Sequence, residues 1–273
     1  MHLFKRALFL LTTAAMMTAQ TAPPAANIAQ ASPQPGPSIG AASRIEPPRP
    51  NYRFPDNQTL IYDAEWRLWN AGTATITMTT DGASRKVNGS ASSIGFAAVL
   101  YTVQDRFESK FDSRTFCSEH LFKHTEEGTH KRDTNILYDY HQRKAVLDEK
   151  NLKTNEPKHQ TEDIPSCVTD VLSGIFYAGS LPLLPNGVYL FPLNDGGKTV
   201  DVRVTVEGKE QVKMTAGTFN TIRVRTEAET GPVKKRGSIW LWYDEATRVP
   251  VQMRARAFWG TLNLKLNRIE TKK

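Results

Sequence analysis

Histidines are the residues of this chain whose spacing comes nearest to a metal or acid–base site. His120, His124 and His130 share parity in a predicted hairpin, but the first two lie about 13 Å apart along an extended strand. That separation is too large for one metal ion. His124 and His130 could face each other across the turn, which supplies two ligands and not a complete site. We therefore predict no metal site.

Neighbouring carboxylates occur at four places and are the other candidates for catalysis. The pairs are Asp63 and Glu65, Glu126 and Glu127, Glu162 and Asp163, and Asp244 and Glu245. The first pair lies on the polar face of a predicted strand, where cross-strand ion pairing is the ordinary role, and the others lie at predicted turns. No G-x-S-x-G nucleophile motif or phosphate-binding loop accompanies them. The sequence therefore predicts no enzymatic activity and no cofactor.

The two cysteines, Cys117 and Cys167, are interpreted together with the first twenty residues. Lys5 and Arg6 precede an apolar run from residue 7 to residue 19, a pattern typical of a secretory signal peptide over residues 1–20. Exported chains with a single pair of cysteines commonly form a disulfide, so we predict a Cys117–Cys167 bond. The alternative is two unpaired buried thiols.

Residues 21–57 are rich in Pro, Ala, Ser and Gln and almost lack aromatic side chains. Such a segment buries too little apolar surface to offset its ordering entropy, so it predicts a disordered tether. No cysteine follows the signal where lipid attachment would require one. We expect a periplasmic or secreted protein with no transmembrane segment after signal removal.

The net charge of +7 bears on the partners, and loss of Lys5 and Arg6 with the signal lowers it by two. The remaining basic residues are scattered in short groups, and export removes the usual nucleic acid targets. The sequence therefore argues against nucleic acid binding and favours anionic neighbours only weakly.

The stretch 60–80 alternates apolar and polar residues on both sides of a turn and predicts a one-sided β-hairpin. A three-residue loop at 70–72 would place Trp66 opposite Ile76, with apolar residues facing each other throughout. A loop one residue shorter would place Trp66 opposite a threonine. The pattern therefore selects the three-residue loop.

Two further hairpins are predicted by the same pairing test. One turns at residues 207–209, and the last hairpin turns at residues 259–260. The last hairpin places Arg254 opposite Lys265, with Arg256 on the same outer face. These three cations form a candidate anion-binding surface.

One helix, near residues 167–178, interrupts the strands. Apolar residues recur there at helical spacing, and Ser166 or Thr169 can cap its start. Ten or more strands surround this helix, which predicts a mainly β fold over residues 58–270. We expect an antiparallel β-barrel or strongly curved sheet, with the helix packed on its apolar face or across an open end.

A hollow barrel would offer an apolar pocket, and a fully packed interior is the alternative. The candidate lining residues are Trp66, Ile76, Met78, Phe176, Val202, Val204, Leu241 and Leu264.

Four segments carry a family likeness in a fixed order. They read LIYDAEWRLWNAGTATI, VTDVLSGIFYAGSLPL, VKMTAGTFNTIRV and YDEATRVPVQMRARAFWGTLNLKL. Over residues 59–269 the chain resembles the domain-of-unknown-function family 3108. The resemblance implies an exported bacterial protein with a β-rich fold similar to the YmcC-like barrel of capsule-assembly lipoproteins. It implies no established activity and no catalytic residues.

Three functional hypotheses follow. The first is a non-enzymatic envelope protein that binds a partner, a polysaccharide or an amphiphile. The second is a carrier of a lipid-like ligand inside the barrel, and the third is an uncharacterised hydrolase.

Overall fold

A computed structural model of the chain describes residues 43–66, 69–195, 197–229, 237–257 and 260–271. The predicted signal peptide and most of the predicted tether lie outside these residues. Within them, neither helix is long and apolar enough to cross a membrane.

The strands of the described residues form one 14-stranded antiparallel sheet. They are β1 (Gln58–Trp66), β2 (Trp69–Asp81), β3 (Ser84–Ser93), β4 (Gln104–Asp112), β5 (Ser118–Glu127), β6 (His130–Asp139), β7 (Lys144–Asn151), β8 (Pro157–Asp163), β9 (Val188–Asn194), β10 (Thr199–Met214), β11 (Gly217–Ala228), β12 (Ile239–Asp244), β13 (Pro250–Ala257) and β14 (Gly260–Thr271). Each strand pairs with its neighbours in sequence, except that β1 pairs with β14 and that β8 and β9 are the two edges. The predicted mainly β fold is confirmed.

Alternation of apolar and polar residues explains why these segments form strands with one buried face. In β2, Ala74, Ile76 and Met78 are buried, whereas the threonines between them are only partly buried. The buried faces of β1–β4 and β9–β14 contribute to one core cluster. The sheet is therefore strongly curved, with its apolar face inside.

Side chains of β8 bond to β9 and to the turn that follows it, since the backbone ladder does not continue from β8 to β9 in the described residues. Glu162 accepts from the side-chain amide of Asn194 in β9 at 3.3 Å and from the backbone N–H of Thr199 at 2.7 Å. The Gln160 side-chain amide donates to the carbonyl oxygen of Gly197 in the turn at 2.8 Å. Thr169 adds a short parallel bridge to the outer edge of β9. These bonds cover polar groups that an open edge would leave unpaired.

Two helices accompany the sheet, α1 (Gly95–Leu100) and α2 (Val171–Ser180). The predicted helix near residues 167–178 is α2, but it begins four residues later than its apolar pattern indicates. Asp170, and not Ser166 or Thr169, is the N-cap residue, because its side chain accepts from the backbone N–H groups of Leu172 and Ser173. Val168 and Thr169 instead form backbone hydrogen bonds with residues of β5 and β9.

The predicted pairing within the first hairpin is wrong, although its apolar face is correct. Ile76 pairs with Leu60 and not with Trp66, which pairs with Trp69 at the turn. A register shift between Ala64 and Glu65 makes this pairing possible. The partner of Ile76 moves by an even number of residues, so the buried face stays the same.

The other two predicted turns also differ from those in the structure. The proposed loop at 207–209 is a register shift inside β10, which continues to Met214 before the chain reverses. In the last hairpin Ala257 pairs with Gly260, so Arg254 lies opposite Asn263 and not opposite Lys265. In β10 the extra residue at the shift lets the strand continue through the predicted loop. In the last hairpin the ladder has no shift, and the partners differ because the pairing begins at Ala257 and Gly260.

The predicted tether ends earlier than residue 57. Ile45, Tyr52 and Phe54 are partly buried against the core cluster, and the ring of Phe54 lies 5.3 Å from that of Phe116. The hydroxyl of Tyr52 donates to the backbone oxygen of Phe176 in α2. Residues 43–57 therefore pack against the folded domain.

Candidate ligand-binding cavity

A cavity of about 700 Å³ lies between α2 and the inner face of β9–β14. Its volume falls within the range of small-molecule sites, and its walls are mainly aliphatic. The apolar lining residues are Val171, Ile175, Ala178, Phe191, Leu193, Val200, Val202, Ala228, Ile239, Leu241, Met253, Ala255, Leu262 and Leu264. The interior of this curved sheet is thus not fully packed.

Three of the eight residues predicted to line a pocket do line this cavity, namely Val202, Leu241 and Leu264. Ile76, Met78, Phe176 and Val204 are buried in the packed core. Trp66 is half-buried at the end of β1 and lies outside the cavity lining. Alternation selects the inner face, but it does not distinguish a packed stretch of that face from a hollow one.

Helix α2 forms one wall of the cavity, and a buried carboxylate fixes where that wall begins. One oxygen of Asp170, Oδ1, accepts from the backbone N–H groups of Leu172 at 2.8 Å and Ser173 at 3.0 Å. The other oxygen, Oδ2, accepts from the hydroxyls of Ser109 and Ser118, both at 2.6 Å. Four donors therefore satisfy a fully buried side chain and tie α2 to β4 and β5.

Small residues on α2 help to leave space at the cavity wall. Gly174 and Ala178 both face the cavity. A Cβ atom at Gly174 would lie 3.2 Å from the Leu193 side chain and 3.3 Å from the hydroxyl oxygen of Thr169, so the helix and β9 approach closely there. The sequence reveals a small residue at this position but not which neighbour it meets.

One end of the cavity is polar. Asp195, Gln160 and Lys198 contribute to its lining there. Burial raises the pKa of Asp195, and Lys123, whose ammonium group lies 3.3 Å from the carboxylate, opposes this increase. Glu227 also borders the cavity, but its strand partner is Arg203 and its carboxylate accepts from Arg225 at 2.9 Å, so the carboxylate lies on the outer face. An apolar wall with a charged end is the arrangement that an amphiphilic molecule requires.

A second concavity, of about 500 Å³, lies on the outer face of β2–β5. Phe122 lines it together with polar side chains, and several of these bond to each other. The hydroxyls of Thr75 and Ser90 are 2.7 Å apart, and the Glu108 carboxylate lies 2.9 Å from the Lys86 ammonium group. Several of the hydrogen-bonding groups in this groove are therefore already engaged.

His124 takes part in a local polar network and does not face His130. Its Nδ1 lies 2.6 Å from Asp133, and its Nε2 lies 3.3 Å from Glu126. The backbone partner of His124 is Asp133, and His130 pairs with Glu127. In the part of the chain that the structure describes, no group of three or more His, Cys, Asp or Glu side chains could hold a metal ion.

Two of the three predicted anion-binding cations are engaged by neighbouring strands. Lys265 forms an ion pair with Glu65 at 2.7 Å. Arg254 donates to the Asn263 side chain at 2.6 Å and stacks over the Trp242 ring. Arg256 is exposed on the same face. Anion binding by this surface stays a prediction.

The predicted disulfide between Cys117 and Cys167 is present in the structure. It joins the residue before β5 to the segment that leads into α2. The bond closes a loop of 50 residues and so restricts the position of the helix relative to the sheet.

Arg248 is a residue that the sequence analysis missed. Its side chain is only 7% exposed, and its Nε and Nη1 atoms have no hydrogen-bond partner among the described residues. Burial and the nearby Arg49 guanidinium both lower the pKa of Arg248. Its turn lies at the end of β12 opposite to the cavity, so Arg248 does not contribute to the cavity lining.

A family model and two solved structures are similar to this chain. A family model described as "Protein of unknown function (DUF3108)" matches residues 61–267. A β-barrel-like protein of the DUF1849 family from Brucella abortus is similar in structure, with a TM-score of 0.56 and 11% identity over 85% of this chain and all of that one. An exported protein with a YmcC-like fold from Bacteroides fragilis gives a TM-score of 0.37 and 9% identity over 81% of this chain and 98% of that one. No curated protein matches the chain.

Proposed function

The chain belongs to the DUF3108 family of proteins of unknown function, and we propose that it is an exported, non-catalytic protein that binds an amphiphile in its cavity. The cavity of about 700 Å³ between α2 and β9–β14 carries this proposal. Its aliphatic walls suit an acyl-like chain, and Lys198 and Asp195 lie where a polar head group would emerge. The signal-like N-terminus supports export to the periplasm or beyond.

A binding role without catalysis is supported by the state of the polar groups around the cavity. Lys123 lies 3.3 Å from one oxygen of Asp195, and the other oxygen, Oδ1, has no hydrogen-bond partner among the described residues. We expect this free oxygen to accept a hydrogen bond from the polar head group of the ligand. A hydrolase would need a nucleophile beside this carboxylate, whereas the hydroxyl of Thr226 in the described lining donates to the backbone oxygen of Ile239 at 3.0 Å.

The proposal is tested by titrating purified protein with saturated fatty acids of increasing chain length in a calorimeter. Each added methylene is expected to tighten binding about fourfold until the cavity is filled, because burial of one CH₂ contributes about 0.8 kcal/mol. Affinity that does not depend on chain length would contradict the proposal.

A matched pair of variants locates the site. Ala255→Trp fills the cavity from β13, whereas Arg256→Trp places the same ring on the outer face of the same strand. We expect the first variant to lose fatty acid binding and the second to retain it. Equal binding by both variants would place the ligand elsewhere.

A polysaccharide is the second candidate ligand, because the outer groove combines Phe122 with hydrogen-bonding side chains. It ranks below the amphiphile since Thr75, Ser90 and Glu108 already have partners there. Binding of neutral oligosaccharides that Phe122→Ala abolishes would favour it over the amphiphile.

A further inference from the structure

Helix α1 exposes apolar side chains to an unusual degree. Its sequence is GFAAVL, and none of its six residues is buried. Phe96 is 75% exposed, Val99 80% and Leu100 62%, and Tyr101 follows directly with 52%. Clusters of this kind on soluble proteins mark surfaces that contact a partner or a membrane.

The position of α1 is fixed although its side chains are not packed. The N–H of Ile94 donates to the carbonyl oxygen of Ala71 in β2 at 2.9 Å, and the N–H of Gly128 donates to that of Thr102 at 2.7 Å. The Tyr101 ring lies so close to Gly128 that a Cβ atom there would come within 2.7 Å of it. The fold therefore holds an apolar surface in place.

This surface is continuous with the cavity through one row of paired residues at the ends of five strands. Ile239 pairs with Ala255, Ala255 with Leu262, Leu262 with Trp66, and Trp66 with Trp69. The first three of these residues line the cavity, and Trp69 is 75% exposed on the strand that holds α1. An apolar row thus leads from the cavity to Trp69, two residues before Ala71, whose carbonyl oxygen accepts from the residue that precedes α1.

We propose that Trp69, Phe96, Val99, Leu100 and Tyr101, the docking patch, insert into the surface of a lipid membrane. The inference rests on the proposed function, since docking would let an acyl chain pass between the bilayer and the cavity without crossing water. Continuity with an apolar cavity points to a membrane as the occupant, because a bilayer supplies acyl chains directly, whereas a protein partner would need an apolar cavity of its own. Trp and Tyr beside aliphatic side chains are also typical of membrane interfaces.

The charges nearest the docking patch are acidic. Burial raises the pKa of Tyr101, and the nearby carboxylates of Glu127 and Asp105 raise it further. Docking should therefore depend on apolar insertion and not on attraction to anionic lipid. We expect binding to phosphatidylcholine vesicles at least as strong as binding to vesicles that contain phosphatidylglycerol.

The test is flotation of the full chain with these vesicles. The double variant Phe96→Ser, Val99→Ser removes two highly exposed side chains, so the fold should be retained, and we expect vesicle binding to fall at least about tenfold. Leu184→Ser is the matched control, since Leu184 is 63% exposed at the opposite end of the sheet. Its binding should equal that of the wild type.

Three results would overturn the inference: wild-type protein that does not float with either vesicle, a double variant that binds as well as the wild type, or a double variant whose only defect is loss of self-association in gel filtration. Fatty acid titration in the absence of vesicles separates this inference from the proposed function. Vesicle binding by a protein that binds no fatty acid would refute the cavity proposal and support the docking patch. Fatty acid binding by a protein that does not bind vesicles would support the cavity proposal and refute the docking patch.

Discussion

Substitution of Asp170 should destabilise the protein more than that of any exposed aspartate. Its Oδ1 satisfies two backbone N–H groups at the start of α2, and its Oδ2 satisfies the hydroxyls of Ser109 and Ser118. Asp170→Ala removes the N-cap, which costs about 1–2 kcal/mol, and leaves buried hydroxyls without their acceptor at about 1–3 kcal/mol each. The Ser118 hydroxyl can turn towards the Ser173 hydroxyl, 3.0 Å away, so only the Ser109 hydroxyl is left without an acceptor.

The expected total loss for Asp170→Ala is therefore about 2–5 kcal/mol, a large share of the stability of an ordinary domain. Asp170→Asn should cost about 1–2 kcal/mol, because its amide oxygen still caps the helix and the hydroxyls can accept from its NH₂ group. Urea unfolding of the two variants measures both values. Asp112→Ala is the control, since Asp112 also accepts from two backbone N–H groups but in an exposed turn.

A double-mutant cycle tests the reasoning itself. Ser109→Ala should cost about 1 kcal/mol in the wild type, because it removes one bond to Asp170. In the Asp170→Ala background it should cost nothing or stabilise, since it removes the stranded hydroxyl. If Ser109→Ala costs the same in both backgrounds, the buried carboxylate does not hold the hydroxyls as described.

Three other substitutions give separate tests of the fold by urea unfolding. Burial raises the pKa of Asp105 to about 6. Between about pH 4 and pH 6 the Asp105 carboxyl group is protonated in the folded protein and ionised in the unfolded chain. The contribution of Asp105 to wild-type stability therefore falls as pH rises through this range. Asp105→Asn should remove this slope and gain about 2 kcal/mol above pH 6. Replacement of Cys117 and Cys167 by serine should cost about 2–4 kcal/mol, because the closed loop of 50 residues is released. Arg248→Met should leave stability unchanged or raise it by about 1 kcal/mol, since a buried guanidinium with unpaired donors is replaced by an apolar chain.

Each of these tests has a result that would contradict it. A pH profile that is the same in the Asp105→Asn variant as in the wild type would assign the slope to another group. Alkylation of both thiols without reductant would show that the disulfide is absent in the protein. A loss of more than about 2 kcal/mol in Arg248→Met would indicate that the guanidinium has a partner.

The faces of the strands could be predicted from sequence, but their pairing could not. In β2 the alternation of Ala74, Ile76 and Met78 identifies the buried face without knowledge of any neighbour. Pairing depends in addition on irregularities such as the shift between Ala64 and Glu65, which leave no signal in the apolar pattern. The buried faces were therefore predicted correctly although the register was wrong.

The cavity and the docking patch depend on properties that the pattern does not contain. Val202 and Val204 have the same type and the same face, yet one lines the cavity and the other is in the packed core. The apolar GFAAVL sequence of α1 is typical of a buried element. Only the three-dimensional arrangement shows that nothing in the described chain covers it.

The pairing of β1 with β14 has a consequence for the order in which the molecule can assemble. Gln58 pairs with Thr271, so the first strand of the domain lies beside the last one in the middle of the sheet. All other strand pairs are consecutive in the chain and can form as soon as their hairpin is complete. One edge of β1 must therefore stay unpaired until β14 has been synthesised. A chain truncated before residue 260 would keep that edge exposed in the centre of its sheet, where it could recruit strands from other molecules.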